Sequence, residues 1–322
     1  MHNLSSNKPA IVSVIIPCYN AERYVGEAIQ SALDQTYPHK EVIVIDDGST
    51  DCSLDVIKSF GISVRWKSGP NRGGCVARNR GLELAKGDLI QFHDADDLLH
   101  PEKLAVQVPI AIENPTRIVY CRYAFVDEAG NSISEPVRSV PVFDGEDPVV
   151  FVLLQAGLST PAPLHWKSKL MAIGGFHAGL ACAQERDLHL RLACDGASFL
   201  HVPKTLVKIR RVSGSVSSNL MHVRDQYTDI VWRAYEQLKT NAALTEPRLA
   251  AMAGLLAMSA RNYLNSGLVE KSRDYFDQAR RLHPEGGIPQ AYSSPGRVLH
   301  RFLGPEMTQR FVNQKRRIFR CR

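Results

Sequence analysis

The sequence has no apolar run long enough to span a membrane. Its longest apolar segments, Val149–Leu154 and Leu249–Ala260, have the length of core helices. The first eight residues contain no hydrophobic signal-peptide stretch. The seven cysteines are odd in number and form no metal-binding pair, so they indicate reduced thiols rather than a disulfide framework. These absences predict a cytoplasmic protein.

Two nucleotide-binding fingerprints are also missing. The turn after the first predicted strand, Pro17–Glu22, reads PCYNAE and lacks the GxGxxG pattern of dinucleotide-binding proteins. The GxxxxGK[ST] pattern of P-loop nucleotide-binding proteins does not occur either. The sequence therefore argues against a dinucleotide oxidoreductase and against a P-loop NTPase.

Positive charge is concentrated at one end of the chain. The net charge is +6, yet the segment Arg297–Arg322 alone holds eight Lys or Arg residues and one acid, Glu306. The rest is close to neutral, which argues against a nucleic-acid-binding surface on the main body. Arginines alternate with Val, Leu, Phe and Ile in this segment, as in basic amphipathic membrane-surface anchors. A solvated, disordered tail is the alternative interpretation.

The first hundred residues alternate between strand and helix patterns. Continuous apolar runs predict buried strands, and amphipathic spacing predicts helices between them. This alternation predicts a mostly parallel sheet flanked by helices, with ligands bound at the carboxyl ends of its strands. The predicted strands are Ile11–Ile16, Glu41–Ile45, Ile62–Trp66 and Asp88–Phe92, and the predicted helices are Ala21–Gln35, Leu54–Phe60 and Gly74–Ala85.

The rest of the chain is less regular and then becomes helical. The remaining predicted strands are Arg117–Phe125, Ala162–His165, Ser198–Val202 and Leu206–Arg210, with a hairpin or loop at Asp127–Gly145. The remaining predicted helices are Pro101–Glu113, Asp147–Gln155, Gln184–Ala193, Val223–Lys239, Pro247–Asn265 and Val269–Leu282. We therefore expect an α/β catalytic domain over 1–222, a helical extension over 223–290 and the basic tail over 291–322.

Clustered acids follow the fourth predicted strand. The sequence Asp94-Ala95-Asp96-Asp97 comes directly after an apolar run, where unpaired carboxylates would be costly to bury. Carboxylate oxygens suit Mg²⁺ or Mn²⁺, which commonly also bind phosphate oxygens. An exposed acidic turn or a helix N-terminus is the alternative. For Asp97 we expect a cap on the following helix.

Five ordered segments carry a family resemblance. They are Val12–Tyr24 (VSVIIPCYNAERY), Glu41–Asp51 (EVIVIDDGSTD), Asn71–Gly81 (NRGGCVARNRG), Gly87–Leu98 (GDLIQFHDADDL) and Gly174–Leu192. Together they resemble the family-2 glycosyltransferases of the GT-A fold, over roughly Ile11 to Asn219. The resemblance implies an inverting transferase that uses a nucleoside-diphosphate sugar, most commonly a UDP-sugar, and a divalent metal ion, with a glycan or lipid-linked acceptor.

The resemblance also implies site residues. Nucleotide-sugar contacts fall on Pro17, Tyr19, Asn20, Glu22, Asp47, Arg78, Asp94, Ala95 and Asp96, and Asp96 corresponds to the direct metal ligand. Tyr19 could instead be a half-buried aromatic, Asp47 a helix cap and Arg78 part of a solvated helix face.

Glu185 corresponds to the base that takes the acceptor's proton. The family commonly has an acidic residue and then Asp here, whereas this chain has Gln184-Glu185. On the same helix, Asp187 and Arg191 are spaced to pair, and His189 is expected to pack.

Trp166, the segment around Arg210 and the catalytic role itself each have more than one interpretation. Trp166 could stack on a sugar ring or pack in the core. Arg210, Arg211 and Ser213–Ser215 could form a lid over the diphosphate. A non-catalytic module that kept the fold is the alternative to an enzyme, although the presence of both Asp96 and Glu185 weighs against it.

Overall fold

The computed structural model describes residues 9–133, 145–154, 158–212, 220–291 and 308–309. The chain forms two compact units, which are described separately below. The first comprises Met1–Pro148 and Gly157–Val216, and the second comprises Val149–Ala156 and Ser217–Arg322. The expected domain limits of 222 and 290 remain predictions.

The first unit contains a mixed sheet between helices. Its strands are β1 (Val12–Cys18), β2 (Lys40–Asp46), β3 (Arg65–Ser68), β4 (Leu89–Phe92), β5 (Leu98–Leu99), β6 (Arg117–Val126), β7 (Pro163–Trp166) and β8 (Ser198–Arg210). Its helices are α1 (Val25–Leu33), α2 (Ser53–Ser59), α3 (Gly74–Leu84), α4 (Lys103–Glu113), α6 (Lys167–Ala172) and α7 (Gln184–Cys194). The expected α/β class is confirmed.

The strand order places three polar strand ends along one edge. The order is β3-β2-β1-β4-β7-β6-β8-β5, and β3, β2, β1 and β4 run parallel. β4 then pairs antiparallel with β7, and β7 pairs antiparallel with β6. Because parallel strands end at the same edge, the residues after β1, β2 and β4 converge there, as expected from the sequence.

The burial of apolar residues accounts for the parallel half of the sheet. In β1 and β2 the central residues Val14, Ile15, Ile43 and Val44 are almost completely shielded from solvent. The amphipathic face of α1 is buried as well. Strands buried on both faces are typical of parallel sheets covered by helices, so the apolar runs of the sequence map directly onto strands.

Three predicted strands differ from the structure. The third strand occupies Arg65–Ser68 rather than Ile62–Trp66, and all four of its residues are exposed because it lies at the edge of the sheet. A single long strand, β8, replaces the two predicted over Ser198–Val202 and Leu206–Arg210. Its pairing with β6 shifts around Pro203, which cannot donate a ladder hydrogen bond, and the sequence pattern breaks at the same point.

The second unit is helical. It contains α5 (Pro148–Leu154), α8 (Leu220–Thr240), α9 (Glu246–Asn265), α10 (Val269–Leu282) and α11 (Ile288–Ala291). The three predicted C-terminal helices are confirmed, and α10 buries one apolar face that includes Tyr275 and Phe276. Except for residues 291, 308 and 309, the basic tail lies outside the described residues. No helix in the described part of the chain has the length and apolar character needed to cross a membrane.

Candidate active site

The loop after β1 is hydrogen-bonded to the loop after β2. The side-chain oxygen of Asn20 accepts the Thr50 backbone N–H at 2.8 Å, and Glu22 accepts that of Cys52 at 2.8 Å. Asn20 adopts a φ of 48°, an uncommon conformation for a residue other than glycine. Asn20 and Glu22 thus hold the two loops together, and their contact with a ligand remains a prediction.

The end of β1 presents an aromatic side chain. Tyr19 is 51% exposed, whereas Pro17, two residues before it, is partly buried. An exposed ring at the carboxyl edge of the sheet can stack on a planar base. Base stacking by Tyr19 stays a prediction.

Asp47 is buried and braced by backbone groups. Its two carboxylate oxygens accept the N–H groups of Arg72 and Gly73 at 3.0 and 2.8 Å. The alternative that Asp47 caps the helix starting near Thr50 is wrong, because α2 has no side-chain cap. Each oxygen keeps a second acceptor position, so Asp47 can still accept a hydrogen bond from a base or a ribose.

Arg78 connects the acid cluster after β4 to the start of α7. Its Nη2 donates to Asp94 at 2.6 Å, its Nη1 donates to Gln184 at 2.7 Å, and Nη2 lies 3.9 Å from Glu185. Burial acts to lower the pKa of Arg78, but the charges of Asp94 and Glu185 outweigh it, and the pKa is raised. Arg78 is therefore a permanent buried cation, and its assignment to a solvated helix face is wrong.

The acid cluster contains carboxylates in unlike environments. Burial, and then the nearby charge of Asp94, raise the pKa of Asp96 to about 6. Asp97 is buried and accepts the backbone N–H of Arg210 at 2.9 Å, and burial together with its acidic neighbours raises its pKa. The prediction that Asp97 caps the next helix is therefore wrong, because α4 has no side-chain cap. Ala95, which lies between Asp94 and Asp96 in the sequence, is also buried.

The donor chemistry of this cluster fits a hard divalent cation. The charge of one carboxylate disfavours ionisation of the next, and a cation placed between them would relieve this repulsion. Within the described residues, no group of three or more His, Cys, Asp or Glu side chains could hold a metal ion alone. A metal at Asp96 would thus take further oxygen ligands from water or from phosphate.

Glu185 lies at the first turn of α7. Its Oε1 accepts the hydroxyl of Thr160 at 2.7 Å, and Glu185 is only partly buried. The residue before this helix, Ala183, adopts a φ of 55°, and such strained positions concentrate at functional sites. The sequence does not predict Thr160 as a site residue, because a single threonine before a proline carries no functional pattern.

The rest of α7 anchors the helix. Asp187 accepts a hydrogen bond from the side chain of Arg191 at 2.8 Å. The guanidinium group of Arg191 also donates to the carbonyl oxygens of Ile173 and Gly175. His189 stacks on another ring with their planes 8° apart. The predictions of an Asp187–Arg191 pair and of a packing role for His189 are confirmed.

The proposed lid is not supported at its first residue. Arg210 is buried, and it donates to the carbonyl oxygens of Asp96 and Glu128 and to the carboxylate of Glu27. Arg210 is thus a brace beneath the acid cluster. Arg211 lies over the ring of Phe125 at 3.7 Å.

The remaining lid residues and Trp166 were also considered as site residues. Residues Ser213–Ser215 lie outside the described residues. Trp166 is 5% exposed and belongs to the main hydrophobic core, which supports packing over sugar stacking.

A parallel half-sheet with acids at its carboxyl edge, and a carboxylate on α7 close to Arg78, is the arrangement expected of the GT-A class. Residues 13–157 match the model of Glycosyl transferase family 2. An uncharacterized glycosyltransferase of Rickettsia typhi is 38% identical over 230 residues, which cover 70% of this chain and 71% of that protein. The chain belongs to glycosyltransferase family 2.

Other relatives match different shares of the chain. An uncharacterized glycosyltransferase of Haemophilus influenzae is 42% identical over 127 residues, 38% of this chain and 51% of the relative. The match thus spans only about half the length of that relative. TuaG of Bacillus subtilis, a glycosyltransferase provisionally assigned to teichuronic acid biosynthesis, is 27% identical over 238 residues, 72% of this chain and 91% of TuaG.

Two solved structures share the fold. S. aureus TarS 1-349 in complex with UDP-GlcNAc has a TM-score of 0.71 and 20% identity, over 95% of this chain and 91% of that one. The mannosyltransferase PcManGT from Pyrobaculum calidifontis, in complex with GDP-Man and Mn²⁺, has a TM-score of 0.57 and 18% identity, over 95% and 85%. The expected GT-A fold is confirmed.

Proposed function

We propose that this protein is a metal-dependent, inverting glycosyltransferase. It would move a sugar from a nucleoside-diphosphate sugar to a hydroxyl of a glycan or lipid-linked acceptor, and the TarS complex with UDP-GlcNAc supports a UDP-sugar as the donor. One observation carries the proposal: Arg78 joins Asp94, from the acid cluster, to Gln184 and Glu185, from the helix that faces it. The acid cluster proposed to bind the sugar donor and the carboxylate proposed to activate the acceptor hydroxyl therefore lie close together.

The donor site is assigned to the carboxyl ends of β1, β2 and β4. Tyr19 is exposed for base stacking, and the buried Asp47 is held in a fixed position by two backbone N–H groups. The TarS structure holds UDP-GlcNAc on the same fold, which supports UDP as the first nucleotide to test. Pro17, Asn20, Glu22 and Ala95 complete the proposed donor contacts.

Asp96 is the proposed metal ligand, with Asp94 beside it. Mn²⁺ or Mg²⁺, when bound, supplies positive charge to the diphosphate leaving group. The presence of Mn²⁺ in the PcManGT complex supports this assignment. Arg78 adds a fixed positive charge to the same region, so Asp94 stays paired before the donor arrives.

Glu185 is the proposed base. A sugar hydroxyl is a weak acid and needs a positioned carboxylate to accept its proton during attack. Oε1 of Glu185 already accepts the Thr160 hydroxyl, so Oε2 is assigned to the acceptor's proton. The bond from the anomeric carbon to the diphosphate breaks as the bond to the acceptor oxygen forms on the opposite face, which inverts the anomeric configuration.

The acceptor is proposed to be a cell-surface glycan or its lipid-linked precursor. The provisional role of TuaG in teichuronic acid biosynthesis supports this class. A lipid-linked acceptor would also give the basic tail a purpose, since basic amphipathic segments bind anionic membrane surfaces. Peripheral membrane contact is therefore part of the proposal.

Calorimetric titration of UDP tests the donor site. Wild type and Asp96→Asn are titrated with UDP, with and without Mn²⁺, and we expect Mn²⁺ to tighten binding at least tenfold in wild type only. GDP and dTDP serve as nucleotide controls. Absence of UDP binding under every condition would refute the UDP assignment. Metal-dependent binding without transfer from any UDP-sugar would favour the alternative, a non-catalytic nucleotide-sugar-binding module.

A further inference from the structure

A fully buried polar network lies directly behind the segment that carries Thr160. Lys103 on α4 donates to the side-chain oxygens of Gln91, on β4, and Gln107, on α4. All three side chains are inaccessible to solvent. A buried ammonium group is costly unless its hydrogen bonds are made, and here neutral amides make them.

The two glutamines point their other ends at the same segment. Gln91 Nε2 donates to the carbonyl oxygen of Pro161 at 2.9 Å, and Gln107 Nε2 donates to that of Ala162 at 3.2 Å. Because Lys103 occupies their oxygens, both amides are fixed with their N–H groups toward this segment. These hydrogen bonds hold the carbonyl oxygens of Pro161 and Ala162, the two residues that follow Thr160.

Thr160 in turn holds Glu185. Its hydroxyl donates to Glu185 Oε1 at 2.7 Å, and Thr160 is itself buried. A hydrogen bond to a carboxylate oxygen fixes the orientation of the carboxylate. The contacts therefore run from Lys103, through Gln91 and Gln107, to the 160–162 segment and then to Glu185.

We infer that Lys103, Gln91, Gln107 and Thr160 are positioning residues for Glu185, with Thr160 as the group that makes the contact. The inference rests on the proposed role of Glu185 as base. It goes beyond that role by assigning a buried apparatus that sets the position of the base.

Thr160→Val removes the hydroxyl and keeps the side-chain shape. We expect kcat for release of UDP from UDP-GlcNAc, with Mn²⁺, to fall about tenfold, because the Glu185 carboxylate loses the hydrogen bond that orients it. The KM for UDP-GlcNAc should change less than twofold. Thr160→Ser should restore most of the rate, and Ser159→Ala, which removes the neighbouring hydroxyl, is the matched control.

Gln91→Glu tests the network behind Thr160. It keeps an acceptor oxygen for Lys103 but removes the amide donor to Pro161. Gln35→Glu is the matched control, since Gln35 is another buried glutamine whose amide holds the carbonyl oxygens of Ser31 and His100. We expect Gln91→Glu to lower kcat severalfold in wild type, and to cause no further loss in Thr160→Val.

Independent, multiplying losses from Gln91→Glu and Thr160→Val would overturn the network. An unchanged kcat in Thr160→Val would overturn the whole inference. If wild type releases no UDP from any UDP-sugar, the proposed function fails instead. Crystal structures of wild type and Thr160→Val then decide the positioning role: a displaced Glu185 carboxylate supports it, and an unmoved one refutes it.

Discussion

Arg78 donates from Nη2 to the carboxylate of Asp94 at 2.6 Å, although the two residues lie on different elements. Arg78 is 8% exposed, so this ion pair is largely shielded from water. Removing one partner of a buried pair leaves the other charge uncompensated. The pair therefore holds the acid cluster together and links it to α7 through Gln184.

Arg78→Met should damage both stability and activity. We expect the free energy of unfolding to fall by about 2–4 kcal/mol, since Asp94 loses its buried partner. Urea denaturation measures this, and UDP release from UDP-GlcNAc should fall by more than a hundredfold. Arg80→Met, on the same helix, is the control. Equal effects of the two substitutions would contradict the assigned role of Arg78.

Gly175→Ala should be more harmful than Gly174→Ala. Both glycines have positive φ, 69° and 75°, so either substitution strains the backbone. Only at Gly175 would the added Cβ meet another atom, Asn79 Oδ1 at 2.5 Å, and Asn79 holds the backbone of Phe176 through two hydrogen bonds. We expect Gly175→Ala to cost at least 1 kcal/mol more in unfolding free energy. A larger loss in Gly174→Ala would contradict this packing.

The contribution of the buried histidines to stability should fall on mild acidification. Burial lowers the pKa of His93 to about 4 and that of His189 to about 3, below the ordinary value of 6.5. Between the ordinary and the lowered pKa, the unfolded chain binds more protons than the folded one, so stability is lost as pH falls. Each such histidine contributes about 1.4 kcal/mol per pH unit.

Urea denaturation from pH 7 to pH 4 measures this loss. His189→Gln should reduce the slope, whereas substitution of the exposed His177 by Gln should not. His189 also contacts His165 between their Nε2 atoms at 3.1 Å, so Gln at 189 keeps a polar partner there. A slope unchanged in His189→Gln would show that this residue is not the source.

The basic tail should bind anionic vesicles. Each of its eight basic residues would contribute about 1 kcal/mol near an anionic surface. We expect the full chain to float with phosphatidylserine-containing vesicles at low salt, and a chain ending at Pro295 to remain in the lower fraction. Neutral vesicles and 0.5 M salt are the controls, where screening is expected to abolish binding. Equal flotation of both chains would refute the membrane contact.

The sequence predicted the sheet and the positions of its polar ends well. The apolar runs that became β1, β2 and β4 are buried, and burial is what a continuous apolar pattern reports. Edge strands lack this signal, so β3 was placed three residues too early. Pro203 interrupts the pattern of β8 without ending the strand, which the sequence could not reveal.

The chemistry of the site was less predictable than its location. Tertiary contacts decide whether Asp97 caps a helix or accepts a hydrogen bond from Arg210. They also turn Arg78 from a helix-surface cation into a buried bridge. Thr160 reaches Glu185 from 25 positions away, and no local pattern encodes such a contact.

The most direct test of the account compares Glu185→Gln with wild type. Both proteins are supplied with Mn²⁺ and a panel of UDP-sugars beginning with UDP-GlcNAc, and UDP release is followed together with UDP affinity. We expect wild type to turn over at least one donor, and Glu185→Gln to bind UDP as wild type does but to react about 10²–10⁴-fold more slowly. Turnover by Glu185→Gln at the wild-type rate would contradict the assignment of Glu185 as the base.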